Sequence, residues 1–369
     1  MSETSGHSDA DFMRMAVKIS GKGKGRIAGI RPSVGCVIVN PVTLKIISIG
    51  KTSESGNPHA ETDAIQNAIA SGRRDHLKGA TAYVTLEPCS HTSSHKPVSC
   101  AQNLINHGIE RVVVACDDPD PKVNGNGYKK MEDAGIAITK GVLKQEAETV
   151  LKEFFTAVRN KRPFVTLKMA VSADGKVGIK DMPKTLITGP QAQAHAHSRL
   201  RYHHKAIMAG IGTVLDDNPA LTTRVHKDIY PSTRIILDSQ LRLPKGSKIL
   251  QTASDGNPLL LIFNENAETP DFLKQAANVN LIRVQDTRNL SAVLKLLATD
   301  DYGITSLLVE GGPTLIQSFL SSGLWDEAYV YRSPLKIGEA GINGPQFSGY
   351  PIEEAENIGN DKLEIYRNS

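Results

Sequence analysis

The sequence predicts an α/β protein built from two domains. The chain has 369 residues, which is longer than one hydrophobic core usually supports. Short apolar segments with the character of buried strands alternate with segments of helical periodicity. A long helical pattern ends at Lys161-Arg162-Pro163, since the residue before a proline avoids the helical conformation. We therefore predict a first domain over residues 1–147, a connecting helix over 148–162 and a second domain over 163–369.

The first domain is expected to begin with an amphipathic helix. Its buried face should be formed by apolar side chains at helical spacing, namely Phe12, Met15, Ala16 and Ile19. Pro58 is placed to open another helix, with His59 and Glu61 in its first turn. Further helices are expected over 101–106 and before Gly135. The expected strands are 34–39, 45–49, 83–86 and 111–115.

The second domain is predicted to contain a sheet of its own. Its expected strands are 164–169, 206–209, 234–237, 259–263, 281–284 and 306–309. Glycine-bearing loops follow three of them, at residues 172–176, 210–213 and 310–314. Glycine at a strand-to-helix turn lets backbone amides approach a phosphate, so these loops suit a nucleotide or dinucleotide. None of them matches the G-x-G-x-x-G fingerprint of a Rossmann fold.

Composition and charge argue against nucleic acid and membranes as partners. Hydrophobic residues make up 40% of the chain, charged residues 22%, and the net charge is only +4. No apolar run approaches the roughly 20 residues that span a bilayer. Four cysteines are too few for a disulfide scaffold in a chain of this length, so we expect a reducing, cytoplasmic location.

A potential zinc site combines the segment His59-Ala-Glu61 with Cys89 and Cys100. One imidazole and two thiolates suit a tetrahedral zinc whose fourth position is left to water. Zinc lowers the pKa of that water, and Glu61 is placed to move its proton to a leaving amine. This is the pattern of zinc-dependent base deaminases.

Other interpretations of the same residues remain open. The two cysteines could be ordinary thiols, or a histidine of the intervening loop, His91 or His95, could replace a ligand. Cys36 and Cys116 lie in apolar strand patterns, so we expect them in the core. A deaminase that edits nucleic acid would need a basic groove and stacking aromatic side chains, but aromatic residues total only 5%.

The order of motifs resembles a bacterial enzyme family of riboflavin biosynthesis. That family fuses a diaminohydroxyphosphoribosylaminopyrimidine deaminase to a 5-amino-6-(5-phosphoribosylamino)uracil reductase. The resemblance covers nearly the whole chain and is carried by residues 34–39, 59–61, 83–91, 118–119, 167–170, 172–176, 187–188, 212–224, 237–239 and 309–312. It implies a cytidine-deaminase-like N-terminal domain and a dihydrofolate-reductase-like C-terminal domain.

The resemblance also implies the roles of individual residues. In the first domain, zinc would be bound by His59, Cys89 and Cys100, with Glu61 as the catalytic residue. The deaminase substrate would contact Lys96, Asp118 and Asp120. NADPH would contact Ala170, Thr188, Thr213, Asp217, Ser239, Gly311 and Gly312, and the reductase substrate would contact Arg201, Leu221, Arg224 and Glu310.

These roles imply two reactions in sequence. Water would replace the pyrimidine 2-amino group and ammonia would leave; NADPH would then deliver a hydride to C1′ of the ribose and open it to a ribityl chain. The guanidinium groups of Arg201 and Arg224 suit a sugar phosphate because they can form paired hydrogen bonds with it. The family also implies a homo-oligomer.

Several positions depart from the family pattern. Arg31 and Asp120 each stand where the family has an asparagine, and we hypothesise that their opposite charges compensate across the pocket. The hypothesis requires that reverting either change alone alters the deamination rate. The loop from Cys89 to Cys100 is longer than usual, and Leu186 replaces a tryptophan beside the nicotinamide. These departures leave one alternative: a reductase whose impaired deaminase domain has a structural role.

Overall fold

The chain folds into two compact units, residues 1–161 and 162–369. The computed structural model describes residues 8–21, 27, 29–93, 96–121, 123–180, 182, 186–225 and 228–368. The helix predicted to connect the domains is observed at Lys144–Asn160, and its buried side chains belong to the core of the first unit. Among the described residues, no helix combines the length and apolarity needed to cross a membrane.

The first unit is a five-stranded sheet covered by helices. Its strands are β1 Gly35–Val39, β2 Ile46–Lys51, β3 Thr81–Leu86, β4 Arg111–Cys116 and β5 Ala137–Lys140. Its helices are α1 Asp9–Ser20, α2 Ala60–Ala70, α3 Cys100–Asn106, α4 Asn126–Asp133 and α5 Lys144–Asn160, with a 3₁₀ turn at Arg74–Leu77. The strand order is β2-β1-β3-β4-β5, in which β3, β4 and β5 are parallel and β1 is antiparallel to both neighbours.

The predicted buried face of α1 is partly wrong. Phe12 and Ala16 are buried as expected, but Met15 is 38% exposed and Met13 is fully buried instead. The buried positions of α1 therefore lie on a face rotated by part of a turn from the predicted one. The helix begins with a capping box, in which the Ser8 side chain accepts from the Asp11 amide and the Asp11 carboxylate accepts from the Ser8 amide.

A glycine fixes how closely α2 approaches the sheet. A Cβ atom added at Gly50 of β2 would collide with the carbonyl oxygen of Ala60 and the backbone nitrogen of Ala64. Glycine at this position therefore lets the N-terminal turn of α2 lie directly on β2. That turn carries the residues of the predicted zinc motif.

The second unit contains a long, mostly parallel sheet. Its strands are β6 Phe164–Val171, β7 Lys176–Ile179, β8 Ala206–Gly210, β9 Thr223–Val225, β10 Asp228–Tyr230, β11 Thr233–Leu237, β12 Leu259–Asn264, β13 Val279–Val284, β14 Ser306–Val309, β15 Glu327–Arg332, β16 Gly341–Asn343, β17 Glu354–Ile358 and β18 Asp361–Arg367. The main sheet has the order β13-β12-β11-β8-β14-β6-β15-β18-β17, and β7–β16 and β9–β10 form separate ladders. The six strands predicted for this domain are confirmed. The other three strands of the main sheet, β15, β17 and β18, and the short strands β7, β9, β10 and β16 were missed.

Helices cover this sheet and complete an α/β architecture. They are α6 Pro190–His195, α7 Ile211–Asp217, α8 Lys248–Gln251, α9 Asp271–Lys274, α10 Leu290–Leu297 and α11 Pro313–Ser322. A π-helical segment, Ala196–Leu200, and a 3₁₀ turn, Arg201–His203, continue from α6. Strand β14 lies between β6 and β8, to which it is parallel, and its carboxyl end leads into the glycine turn before α11. The predicted α/β fold class is confirmed.

The start of the second unit is held by an ion pair whose loss should be measurable. Arg162 donates to both carboxylate oxygens of Asp326, at 2.6 and 2.8 Å, and the Val165 amide also donates to Asp326. Because both side chains are mostly buried, we expect Asp326→Asn to lower the free energy of unfolding by about 2–3 kcal/mol. Urea unfolding followed by fluorescence of Trp325, the single tryptophan, checks this. The exposed pair of Asp271 with Lys274 provides the control, and equal midpoints for Asp326→Asn and Asp271→Asn would contradict the expectation.

Candidate active sites

The first unit brings together one histidine and two cysteines with the geometry of a zinc site. The ligand atoms of His59, Cys89 and Cys100 all lie within 4.8 Å of one another. His59 Nδ1 is 3.8 Å from Cys89 Sγ and 3.4 Å from Cys100 Sγ. A tetrahedral zinc with ordinary bond lengths separates such nitrogen and sulfur ligands by about 3.5 Å. Both distances from His59 to the cysteine sulfurs are therefore close to those of a zinc site.

Helix ends and one loop position these ligands. His59 is the N-cap of α2, and Cys100 is the first residue of α3, whose N-cap Ser99 accepts from the Gln102 amide. Cys89 lies in the loop after β3, and its carbonyl accepts a hydrogen bond from the Ala101 amide. The positive N-terminal end of a helix favours a thiolate, which zinc binding requires.

The groups around the cluster shift the pKa values of both cysteines and of Glu61. Hydrogen bonding from Cys100, with further help from His59 and Lys96, lowers the pKa of the Cys89 thiol to about 3. The nearby Cys89 thiolate and burial raise the pKa of Cys100. Burial, together with the negative charge of Cys89, raises the pKa of Glu61, which is only 3% exposed. A carboxyl group with a raised pKa is a better proton acceptor than an ordinary glutamate.

The residues predicted to contact the deaminase substrate take different positions. Lys96 is buried and its Nζ lies 2.7 Å from Cys89 Sγ. The Asp118 carboxylate accepts from the Asp120 amide at 2.9 Å, and burial, with Glu87 and Asp120 nearby, raises the pKa of Asp118 to about 6. Their roles stay predictions.

Two histidines were considered as alternative ligands, and Arg31 replaces an asparagine of the family pattern near this centre. His91 is exposed and does not join the three-residue cluster in the described residues, while His95 lies outside them. Arg31 is exposed, and its Nη1 donates to the carbonyl of Ser55 at 2.8 Å.

Glu87 is a buried glutamate beside the metal ligands, and no role for it was predicted from the sequence. Glu87, directly before Pro88-Cys89, accepts hydrogen bonds from the amides of Gly125 and Gly127 at 3.1 and 3.0 Å. It thereby fixes the start of α4 against the loop that carries Cys89. An acidic residue at the end of an otherwise apolar strand was the signal that could have identified it.

The second unit contains two cavities that share part of their walls. The smaller has a volume of about 580 Å³ and the larger about 1000 Å³, and both are lined by Thr213, Asp217 and Gly312. Every residue predicted to contact NADPH or the reductase substrate lines one of them. The smaller is lined by Ala170, Thr188, Thr213, Asp217, Gly311, Gly312, Arg201, Leu221, Arg224 and Glu310, and the larger by Ser239. The glycine turn is held in place because the Gly312 amide donates to Thr213 Oγ1 at 3.0 Å.

A buried ion pair crosses the wall of the smaller cavity. Arg201 Nε and Nη2 donate to the two oxygens of Glu310 at 2.6 and 2.7 Å, and Arg201 Nη1 donates to the Thr222 carbonyl at 2.8 Å. Burial opposes ionisation of Glu310, but the Arg201 guanidinium outweighs it and lowers the pKa of Glu310 to about 2. The face of Arg201 that was expected to pair with a sugar phosphate is thus occupied by a carboxylate.

The chain matches known proteins over almost its whole length. Residues 163–362 match the model of the RibD C-terminal domain, and residues 7–116 match the cytidine and deoxycytidylate deaminase zinc-binding region. The riboflavin biosynthesis protein RibD of Aquifex aeolicus is 34% identical over 97% of this chain and 98% of that protein. RibD of Escherichia coli is 34% identical over 89% of each chain.

The chain belongs to the RibD family.

Solved structures of that family agree with this assignment. RibD of Acinetobacter baumannii superposes with a TM-score of 0.83 at 28% identity, covering 97% of this chain and 98% of that chain. A diaminohydroxyphosphoribosylaminopyrimidine deaminase/5-amino-6-(5-phosphoribosylamino)uracil reductase of Thermotoga maritima has the same TM-score and coverage at 31% identity. The expected family, enzyme class and fold are confirmed: the chain has a zinc-binding deaminase domain and an NADPH-using reductase domain for riboflavin biosynthesis.

A lysine in the reductase cavity was also missed at the sequence level. Lys168 of β6 lines the smaller cavity, where burial lowers its pKa and the charge of Glu310 partly opposes that shift. Its Nζ lies 5.9 Å from the centre of the Tyr331 ring. A single charge inside the apolar run of β6 was the signal that could have identified it.

Leu186, the replacement for the family's tryptophan, lines the same cavity and is 65% exposed.

Removing one ligand of the metal cluster should remove the metal. We expect Cys100→Ala to lower the zinc content from about one ion per chain to near zero, because two protein ligands rarely hold zinc against a chelator. Elemental analysis after dialysis against a weak chelator measures this. Cys116→Ala is the matched control, since the Cys116 thiol donates to the Lys144 carbonyl and lies outside the cluster. Zinc content in Cys100→Ala equal to that of the control would contradict the assignment.

Proposed function

We propose that the chain performs two consecutive reactions on one phosphorylated pyrimidine. Residues 1–147 would hydrolyse the 2-amino group of 2,5-diamino-6-ribosylamino-4(3H)-pyrimidinone 5′-phosphate. Residues 163–369 would then reduce the ribosyl group to ribityl with NADPH, and residues 148–162 would connect the two. The observation that carries the proposal is the metal cluster of His59, Cys89 and Cys100 with Glu61 buried beside it. That complete set argues against a reductase with a purely structural first domain.

Glu61 would manage the protons of the deamination. Zinc, when bound by the three ligands, supplies a water activated for attack at neutral pH. The Glu61 carboxylate would take a proton from the attacking water and deliver it to the departing amino group, so that ammonia leaves and a carbonyl remains. Its raised pKa supports this shuttle, because the carboxyl group can hold the proton between the two transfers. We propose Lys96, Asp118 and Asp120 as substrate contacts beside it.

Lys168 would supply the proton of the reduction. NADPH supplies the hydride that is added at C1′ of the ribose. Breaking the bond between C1′ and the ring oxygen leaves a negative charge on that oxygen, which needs a proton. Lys168 lines the cavity with a lowered pKa, so its ammonium group is a stronger acid than an ordinary lysine. Glu310, held by Arg201, would keep the ammonium oriented, and the turn at Gly311–Gly312 offers backbone amides to the cofactor phosphates.

We further propose a homo-oligomer in the cytoplasm. Four buried free thiols, two of them zinc ligands, support a reducing compartment. The oligomer rests on the family resemblance alone.

Exchanging the proton carrier should separate the two activities. We expect Glu61→Gln to reduce ammonia release by about 10²–10⁴-fold, because the amide cannot accept the water proton. NADPH oxidation with deaminated substrate and the zinc content should remain at wild-type values. The two products are measured separately in the purified full-length chain. Ammonia release close to the wild-type rate would rule out this role for Glu61.

The reduction should depend on the protonated form of Lys168. We expect kcat to fall as pH rises through the lowered pKa of Lys168, since the neutral amine has no proton to donate in this step. Lys168→Met should lose about 10²-fold or more in kcat and also lose that pH dependence. Lys274→Met, at an exposed position, is the control. A Lys168→Met variant with the wild-type pH profile would contradict the assignment.

A further inference from the structure

His197 lies in the wall of the reductase cavity with a defined tautomer. It belongs to the π-helical segment Ala196–Leu200 and lines the smaller cavity together with Arg224. The backbone amide of Arg224 donates to His197 Nδ1 at 3.1 Å. An accepting nitrogen carries no proton, so the ring proton must be on Nε2.

The ring is neutral at physiological pH. Burial, together with the positive charges of Arg201 and Arg224, lowers the pKa of His197 to about 4. His197 therefore offers one N–H donor, at Nε2, and no net charge.

Two donors converge at this point of the cavity. His197 Nε2 lies 3.5 Å from Arg224 Nη2. Both nitrogens carry hydrogens, so they cannot bond to each other once Nδ1 is the accepting atom of the ring. The Arg224 side chain is held in place by a 2.8 Å hydrogen bond from its Nη1 to Thr222 Oγ1. An oxygen between the two donors could accept from both, and a negative oxygen would do so most strongly.

The charges nearby make an anion the fitting ligand. The neighbouring Arg201 is balanced by Glu310, which it binds through two hydrogen bonds. In the described residues, Arg224 has no carboxylate within ion-pair distance. Its positive charge can therefore attract a ligand in the cavity that it lines. We propose that His197 is a binding residue for the phosphate group of the reductase substrate, donating from Nε2 to an oxygen that Arg224 also binds. The inference rests on the proposed reduction of a ribosyl phosphate.

Two variants of His197 separate the donor from the rest of the ring. The amide nitrogen of glutamine falls near Nε2, whereas asparagine reproduces only the position of Nδ1. The measured quantity is the ratio of kcat/KM for the deaminated ribosyl phosphate over that for its dephosphorylated nucleoside. We expect His197→Asn to lower this ratio by about tenfold or more and His197→Gln to lower it less. The neighbouring Ser198→Ala, whose hydroxyl bonds only within its own helix, should leave it unchanged.

An equal loss for both substrates in His197→Asn would overturn the proposal, because a structural role affects the nucleoside as much as the phosphate. A second measurement does not require turnover. Inorganic phosphate should shift the NMR signal of the His197 Nε2–H saturably in the wild-type chain, and much less in Arg224→Met. A phosphate-dependent shift of this signal without any NADPH oxidation would mean that His197 binds an anion although the proposed reduction does not occur. Turnover without a phosphate-dependent shift would overturn the inference alone.

Discussion

Both sites depend on side chains and turns that follow the carboxyl ends of parallel strands, at one edge of each sheet. In the first unit β3 ends just before Glu87 and Cys89, and β4 ends just before Asp118. In the second unit β14, which lies between β6 and β8, ends at Val309, directly before Glu310 and the glycine turn. Loops that leave neighbouring parallel strands open a crevice there, and helix N-termini point into it. Metal ligands and cavity walls from distant parts of the sequence can therefore meet at this edge.

Pairing of charges then decides which groups remain available to a ligand. Arg201 and Glu310 are joined by two hydrogen bonds, so the atoms that form these bonds are used within the pair. Arg224 and Lys168 also line the smaller cavity, and neither is joined to a carboxylate by an ion pair among the described residues. In the first unit, neighbouring groups set the charge state of a thiol. The low pKa of Cys89 depends on hydrogen bonds from Cys100 and the nearby cations. A doubly charged metal would allow both thiols to ionise.

The sequence alone predicts those parts of the molecule that depend on local pattern. Strands such as β12 and β14 were found because they are short, continuous apolar runs buried on both faces. Strand β17 was missed because its side chains are mostly exposed and three of the five are polar, as in a loop. The cluster of metal ligands could be predicted from residue types and spacing, but the pairing of Arg201 with Glu310 joins residues 109 positions apart. Such a pair, and the tautomer of a histidine, depend on tertiary contacts that no local pattern encodes.

The most direct test of two consecutive reactions is a single time course with the wild-type, zinc-loaded chain. The diaminopyrimidine ribosyl phosphate and NADPH are supplied together, and ammonia and NADPH are followed independently. We expect ammonia to appear first, NADPH oxidation to begin after a lag, and both to reach equal final amounts. Oxidation of NADPH without release of ammonia would contradict the two-step order, because the reduction would then not depend on the metal centre of the first unit.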